Sequence, residues 1–583
     1  MNKINQKSIV YAITLHPMKK INGISIPLST SLGNPHRITS KRTSPVGKRV
    51  FYLSIQVVCN AILIGVIAKG LVYLIDLITN LSFYGRFSFG SASPAGNQLG
   101  ILVVAVPILG ALIVGLMARF GSRAIGGHGI PEAMEKIILE DSRIPPAITF
   151  LKPLSAAISI GTGGPFGAEG PIIATGGALG SWTGQWIHIS AAERKIVLAA
   201  GACAGMAAIF GSPLAAVLLA VELLLFEFSP RSIIPVALAC ITGAGMHILL
   251  FGHQPVFAMP DIATPTNTAL VVYVLLGALV GAIAAFVSKS VYWIEDGFEK
   301  LPIHWMWWPA LGAIAIGVVG YFAPHTMGVG YDNITHLLTG ATPLKVVAAL
   351  CFLKYISWSI SLGSGTSGGT LAPLFTIGGA LGALLGTLTL HFIPGSEINL
   401  PTAALIGMAA MFAGASRAWL TSIVFALETT GQIHGLLPLL GACVAAYFVS
   451  FFLMKGSIMT EKIQRRGVKT PDAYEPDILR TVTIREVMAP VQSSGLAATT
   501  IPARWLNASD DAGLAAELMG KYNTDALAVK DDNDGGKFIG IVTAKNLLTY
   551  YSTQRQKEQH YQSPAATRRL LAHGRKLLRT HKS

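Results

Sequence analysis

The chain has 583 residues, 52% of them hydrophobic and only 13% charged, with a net charge of +15. Soluble domains carry roughly 25% charged residues, so this composition excludes an ordinary soluble globule. The positive charge lies in flanks and tails rather than on a recognisable module, which argues against a nucleic-acid-binding protein.

The first 50 residues hold nine Lys or Arg and no Asp or Glu, with no apolar stretch leading into a cleavage site, so no secretory signal is read there. Residues 1–48 read as a basic cytoplasmic segment. Between 49 and 466 apolar stretches recur, as at 51–78, 101–117, 196–226, 270–287 and 436–454. Each approaches or exceeds the roughly 20 residues that cross a bilayer as a helix, and none shows the polar face of a soluble helix. Basic residues return at 462–469 and from Arg555 onward. The positive-inside rule then puts both ends in the cytoplasm and makes the number of crossings even. The five cysteines, Cys59, Cys203, Cys240, Cys351 and Cys443, are scattered through apolar segments without metal or redox spacing and read as small buried side chains.

The membrane region repeats itself. Shifted by 202 residues, 151–180 lies over 353–382 without a gap, and fourteen of the thirty positions are identical. The same shift pairs GMAAIF at 205–210 with GMAAMF at 407–412; Glu222 then pairs with Glu428 after an insertion of four. The region therefore consists of two homologous halves, about 50–255 and 265–466.

Four Gly-rich stretches each lead into an apolar helix: GGHGIPE at 126–132, GAEGP at 167–171, GVGYDNI at 328–334 and GGTLAP at 368–373. Helix starts carry unpaired N–H groups and partial positive charge, so they attract anions. Broken helices at corresponding places in two repeats are where secondary transporters build their sites. The pattern predicts an anion site where the halves meet. For any single stretch, tight helix packing through small residues is the alternative.

These stretches resemble the signature segments of the CLC family of chloride channels and chloride/proton antiporters: GHGIPE its GSGIP, GAEGP its GxEGP and GGTLAP its GxFxP. The resemblance covers about 50–466. It implies an all-α polytopic membrane protein with tilted, broken helices, two inverted halves and one pore per subunit of a homodimer, with chloride and protons as its cargo. It casts Glu169 as the gating glutamate and Glu222 as the start of an inner proton route. Backbone N–H groups of Thr370 and Leu371 would face a central anion and those of Ala168 and Gly170 an outer one. His128, with Gly129 and Ile130, takes the place of the serine segment at the central anion, and Met459 that of the tyrosine closing the inner side. A thioether is at best a weak acceptor. The inner glutamate of many antiporters is Leu223. The resemblance leaves open chloride/proton exchange, a passive chloride channel, and a variant selective for fluoride or nitrate. No nucleophile–base pair, metal cluster or phosphate loop points to an enzyme.

Ionisable groups at membrane depth are functional candidates. Glu169 is the strongest. The equivalent positions of Glu222 and Glu428 favour a shared structural role, such as accepting hydrogen bonds from a neighbouring loop. Lys69 and Asp76, seven apart, read as snorkelling to the interface.

After a linker at 467–480 the composition turns ordinary. IREVM at 484–488, AAELMGKY, DALAVKDD and FIGIVTAKNLL resemble a single CBS motif at 481–555, a small α/β unit. Asn546 stands where nucleotide-binding versions carry Asp for the ribose, so a structural or regulatory module is favoured over an adenine-nucleotide sensor, and no cofactor is expected. Residues 556–583 read as a basic tail at the membrane surface.

Overall fold

A computed structural model describes residues 45–465, 482–490, 505–531 and 537–561, with positions 467 and 479. The basic N-terminal segment up to 44, most of the linker, and the tail beyond 561 lie outside the described residues.

The membrane part is helical throughout, and the protein is an integral membrane protein. Among the described residues, eight helical segments are long and apolar enough to cross a bilayer. The first half runs α1 Pro45–Tyr84, α2 Ala105–Phe120, α3 Ile130–Leu139, α4 Ile148–Gly161, α5 Glu169–Trp186, α6 Ala191–Phe210, α7 Pro213–Leu219 and α8 Pro230–Phe251. The second runs α9 Asn267–Glu299, α10 Trp308–Phe322, α11 Tyr331–Thr339, α12 Leu344–Ala348, α13 Lys354–Gly363, α14 Leu371–Phe392, α15 Leu400–Ser416, α16 Trp419–Thr430 and α17 Leu436–Leu453, followed by the short α18 Glu461–Arg465. Outer faces expose large apolar side chains such as Phe51, Ile241, Leu275 and Phe452, which suit acyl chains rather than water.

Close packing explains why the halves share GGALG. A Cβ on Gly176 of α5 would stand 2.2 Å from the Gly201 carbonyl oxygen of α6, and one on Gly180 would stand 2.4 Å from that of Val197. In the second half, Cβ atoms on Gly378 and Gly382 of α14 would stand 2.5 and 2.2 Å from the carbonyl oxygens of Gly407 and Ala403 on α15. Backbone meets backbone in both pairs, as small residues allow. Gly382→Val is expected to force α14 off α15 at a cost of about 1–3 kcal/mol, read as a lower unfolding temperature in detergent. Gly245→Ala, with nothing within 4 Å of its Cβ, is the control and should leave that temperature unchanged or raised.

The halves are related by a local two-fold, as inverted repeats require. Gly167 and Gly369, equivalent under the 202-residue shift, form a reciprocal antiparallel bridge: the Gly369 N–H donates to the Gly167 carbonyl at 3.0 Å and the Gly167 N–H to the Gly369 carbonyl at 3.4 Å. The four-residue insertion seen in the sequence is one extra helical turn. α6 ends at Phe210, whereas α15 runs past the equivalent Phe412 to Ser416.

Lys69 lies over the rings of Tyr73 and Phe251, at 4.9 and 4.3 Å from their centroids. Asp76 accepts from the Ala92 N–H at 3.4 Å and so ties down the segment after α1.

The C-terminal unit is a four-stranded sheet, order β1-β4-β3-β2, from β1 Ala489–Pro490, β2 Trp505–Asn507, β3 Ala526–Lys530 and β4 Phe538–Thr543. Helices Ala512–Tyr522 and Ala544–Tyr561 follow β2 and β4. Leu527, Ala528 and Val529 are all buried, the continuous apolar run of a strand covered on both faces. The short β2 was not read from the sequence. Asn546 caps the last helix, its Oδ1 accepting from the Thr543 N–H at 3.3 Å and from the Thr543 hydroxyl.

Candidate anion site

Four helices start near the contact between the halves, each after a glycine-rich turn. α3 is entered through Gly129, at φ 95°, and α11 through Gly330, at φ 74°; both lie in the left-handed region that glycine adopts without a Cβ penalty. α5 starts at Glu169 after Ala168, and α14 starts at Leu371 after Thr370. Glu169 and Leu371 are repeat equivalents, so the carboxylate is present on one side of the pseudo-two-fold only.

That carboxylate is 0% exposed and crosses to the other half. Its Oε1 accepts from the Ala372 N–H at 2.5 Å, and its Oε2 accepts from the Tyr331 hydroxyl at 3.0 Å. Glycines make room for it. A Cβ on Gly167 would stand 2.0 Å from each carboxylate oxygen, and one on Gly170 would stand 2.3 Å from the His128 carbonyl oxygen. The first two Gly-rich stretches therefore serve close packing.

The structure brings His128, Gly129, Ala168, Glu169, Gly170, Thr370 and Leu371 into one neighbourhood. Ile130 follows Gly129 as the first, buried residue of α3. In the first turn of α14 the carboxylate engages the Ala372 N–H, and the backbone of Leu371, named in the sequence reading, also bears on it. Two polar groups there, His128 Nδ1 and Thr370 Oγ1, are buried without a hydrogen-bond partner. Glu132 Oε2 accepts from the Gly129 N–H at 2.7 Å, and its Oε1 lies 3.7 Å from the Lys462 ammonium. Met459 is fully buried in a separate turn. Its neighbour Ile458 donates its N–H to the Ala415 carbonyl at 2.9 Å and accepts from the Tyr292 hydroxyl at 2.7 Å.

Glu222 sits apart, on the π-helical turn Ala220–Leu225 that continues α7. Its carboxylate accepts from the backbone N–H groups of Leu420 and Thr421 at 3.1 and 2.9 Å and from the Thr421 hydroxyl at 2.6 Å, capping the start of α16. Glu428 on α16 returns the contact. It accepts from the N–H groups of Leu214 and Ala215 at 3.0 and 2.8 Å, at the start of α7. Each half thus caps a helix of the other. Only Glu222 also borders a cavity of about 1330 Å³, with Leu223, Lys289, Tyr292, Arg417 and Lys455 among its walls.

Two buried lysines escaped the sequence reading. Lys152 and Lys354 are repeat equivalents, 1% and 0% exposed. Lys152 donates to the carbonyls of Ile125 and Gly127 at 2.7 and 2.8 Å, and Lys354 donates to that of Thr326 at 3.2 Å. Their signal was present as the identical LK dipeptide opening the aligned segments 151–180 and 353–382. Tyr331 was also passed over, although it stands directly after a Gly-rich turn.

Comparison with known proteins supports the fold. Residues 109–451 match the Voltage gated chloride channel family. The chain belongs to that family. Over 388 residues it is 29% identical to an H(+)/Cl(-) exchange transporter ClcA of Yersinia pestis bv. Antiqua (strain Angola), covering 63% of this chain and 80% of the relative. Over 374 residues it is 29% identical to the chloride channel protein CLC-f of Arabidopsis thaliana, covering 60% of this chain and 47% of that longer relative. Among solved structures, a slow cyanobacterial Cl-/H+ antiporter superposes with a TM-score of 0.62 at 22% identity, over 70% of this chain and 97% of that one. A CLC-type fluoride/proton antiporter superposes at 0.55, with 22% identity over 70% and 97% of the two chains. Both structures share the fold.

Proposed function

We propose that this chain carries chloride across a membrane in exchange for protons, through the place where α5 and α14 begin. The observation that carries this reading is the buried Glu169 carboxylate on the Ala372 N–H of the opposite half. A carboxylate there takes the position an anion would hold at a helix start. Protonation removes its charge and frees the donors, so one side chain links proton arrival to anion entry. The unpartnered His128 and Thr370 side chains add polar groups that an anion would satisfy. Glu222, beside the inner cavity, is proposed as the inner proton station, and Met459 as the inner border of the path.

We further infer a homodimer in the lipid bilayer of a prokaryotic plasma membrane, with both termini cytoplasmic and no enzymatic role. The C-terminal strand–helix–strand–strand–helix unit is read as one CBS-like motif. Asn546, committed to a helix cap, supports a structural or regulatory role over adenine-nucleotide binding.

A second reading keeps the site and drops the coupling. Leu223 puts a hydrocarbon beside Glu222 on the cavity wall, and the CLC-f relative is named a channel. Liposomes carrying the purified protein, followed with chloride and proton electrodes in parallel, decide between the two. Exchange predicts that a chloride gradient drives protons uphill, and a chloride current without proton movement would replace it with passive conduction. Competition with fluoride and nitrate in the same liposomes tests selectivity.

A further inference from the structure

Tyr331 is the first residue of α11, and its ring is held on two sides before its hydroxyl is considered. It packs edge-on against Phe210 at the end of α6, with centroids 5.7 Å apart, and against Phe257 at 6.0 Å. Phe257 belongs to the segment between α8 and α9, is fully buried, and is itself anchored by its N–H on the Thr429 carbonyl at 3.0 Å. Phe425 closes the cluster at 4.9 Å from Phe210. The aromatic cage therefore fixes the phenol by apolar contact, so the hydroxyl is not needed to anchor the ring; it lies between the Ala168 backbone N–H and the Glu169 carboxylate. It donates to Glu169 Oε2, while the backbone of Ala372 holds Oε1.

We propose that Tyr331 is a positioning residue for anion exchange, a latch whose hydroxyl keeps the Glu169 carboxylate seated on the Ala372 N–H. This deepens, and rests on, the reading of Glu169 as the group that gives way to an anion. An anion takes the carboxylate's place only after its bonds to Ala372 and Tyr331 break. The backbone donor is part of α14 and stays for the incoming anion. The phenol bond is made to the carboxylate's second oxygen and adds to the barrier for its departure. Hydrogen bonds to charged groups are the strong class, and one of them governs roughly a factor of ten in an equilibrium or a rate. The latch thus sets how slowly the site exchanges, without deciding which way ions flow.

The test uses the full chain in liposomes and compares chloride efflux for wild type, Tyr331→Phe, Glu169→Ala and the double variant. Phenylalanine keeps the ring contacts and removes only the hydroxyl. Tyr331→Phe is expected to raise chloride turnover about ten-fold, and to change nothing when Glu169 is already alanine. An equal effect in both backgrounds would mean that the hydroxyl acts on the pore and not through Glu169. No change, or a fall, in the wild-type background would mean that it does not restrain the carboxylate. Any of these results overturns the proposal. Failure of the underlying reading shows separately, as Glu169→Ala alone leaving both flux and proton movement at wild-type levels. Should the phenylalanine variant fail to fold, Tyr331→Met removes the hydroxyl while keeping apolar bulk, and the same comparison applies.

Discussion

Glu169→Gln is expected to leave anion flux running while all coupled proton movement stops. The amide keeps the shape of the carboxylate, and its carbonyl still accepts from the Ala372 N–H. It carries no charge and no exchangeable acid proton, however. Charge-assisted hydrogen bonds are roughly twice as strong as neutral ones, so the glutamine leaves these donors more readily than the ionised glutamate does. Anions then reach the start of α14 at every pH, and acid no longer stimulates flux. Parallel chloride and proton electrodes on liposomes read both quantities in one preparation. Glu222→Gln should behave differently, because its carboxylate is a cap for α16 and makes no bond to Glu169. That change should slow proton movement and cost about 0.5–2 kcal/mol of stability through the weakened cap. Uphill proton pumping by Glu169→Gln would show that the proton route bypasses this residue.

The repeat carried most of the fold into view. Under a single shift Gly167 falls on Gly369, and in the structure those two residues meet. The shared GGALG falls where helix backbones touch. These features were legible because each depends on a local requirement: a missing Cβ, or a residue that opens a helix. What stayed hidden depends on partners distant in sequence. Glu169 reaches Ala372 and Tyr331, 203 and 162 residues away; both lie in Gly-rich stretches visible in the sequence, but no local pattern pairs either with Glu169. The exchange between Glu222 and Glu428 was visible as a symmetry and a preference for accepting hydrogen bonds, but its donors were not. β2, at Trp505–Asn507, has only three residues, too few for alternation to announce a strand.

Lys152→Met is expected to be among the most damaging single changes, and Lys354→Met milder, although the two positions are equivalent in the repeat. A buried ammonium is costly unless its donors are used. Each lysine uses them on backbone carbonyls of the glycine-rich turn that precedes a helix start. The Gly127 carbonyl held by Lys152 also accepts from the Gly368 N–H at 3.4 Å, and the Gly127 N–H donates to the Thr366 carbonyl at 3.3 Å, so this turn joins the two halves. Methionine fills the same volume but donates nothing, and the carbonyls remain buried. An orphaned carbonyl costs about 1–3 kcal/mol. Lys152→Met orphans the Ile125 carbonyl and takes one of its two bonds from the Gly127 carbonyl, which keeps the Gly368 N–H, for a loss of about 1.5–4.5 kcal/mol; Lys354→Met orphans the Thr326 carbonyl alone, for about 1–3 kcal/mol. Where hydrophobic replacement of buried ion pairs has proved harmless, both charged partners were removed together, whereas here only the donor goes. The entry to α3 at Gly129 follows the turn that Lys152 holds, so anion flux should fall in step with its unfolding temperature in detergent. Equal losses in the two variants, or a larger one for Lys354→Met, would show that the carbonyl bonds are not what these lysines contribute, and would leave their positive charge at membrane depth as the reason for their presence.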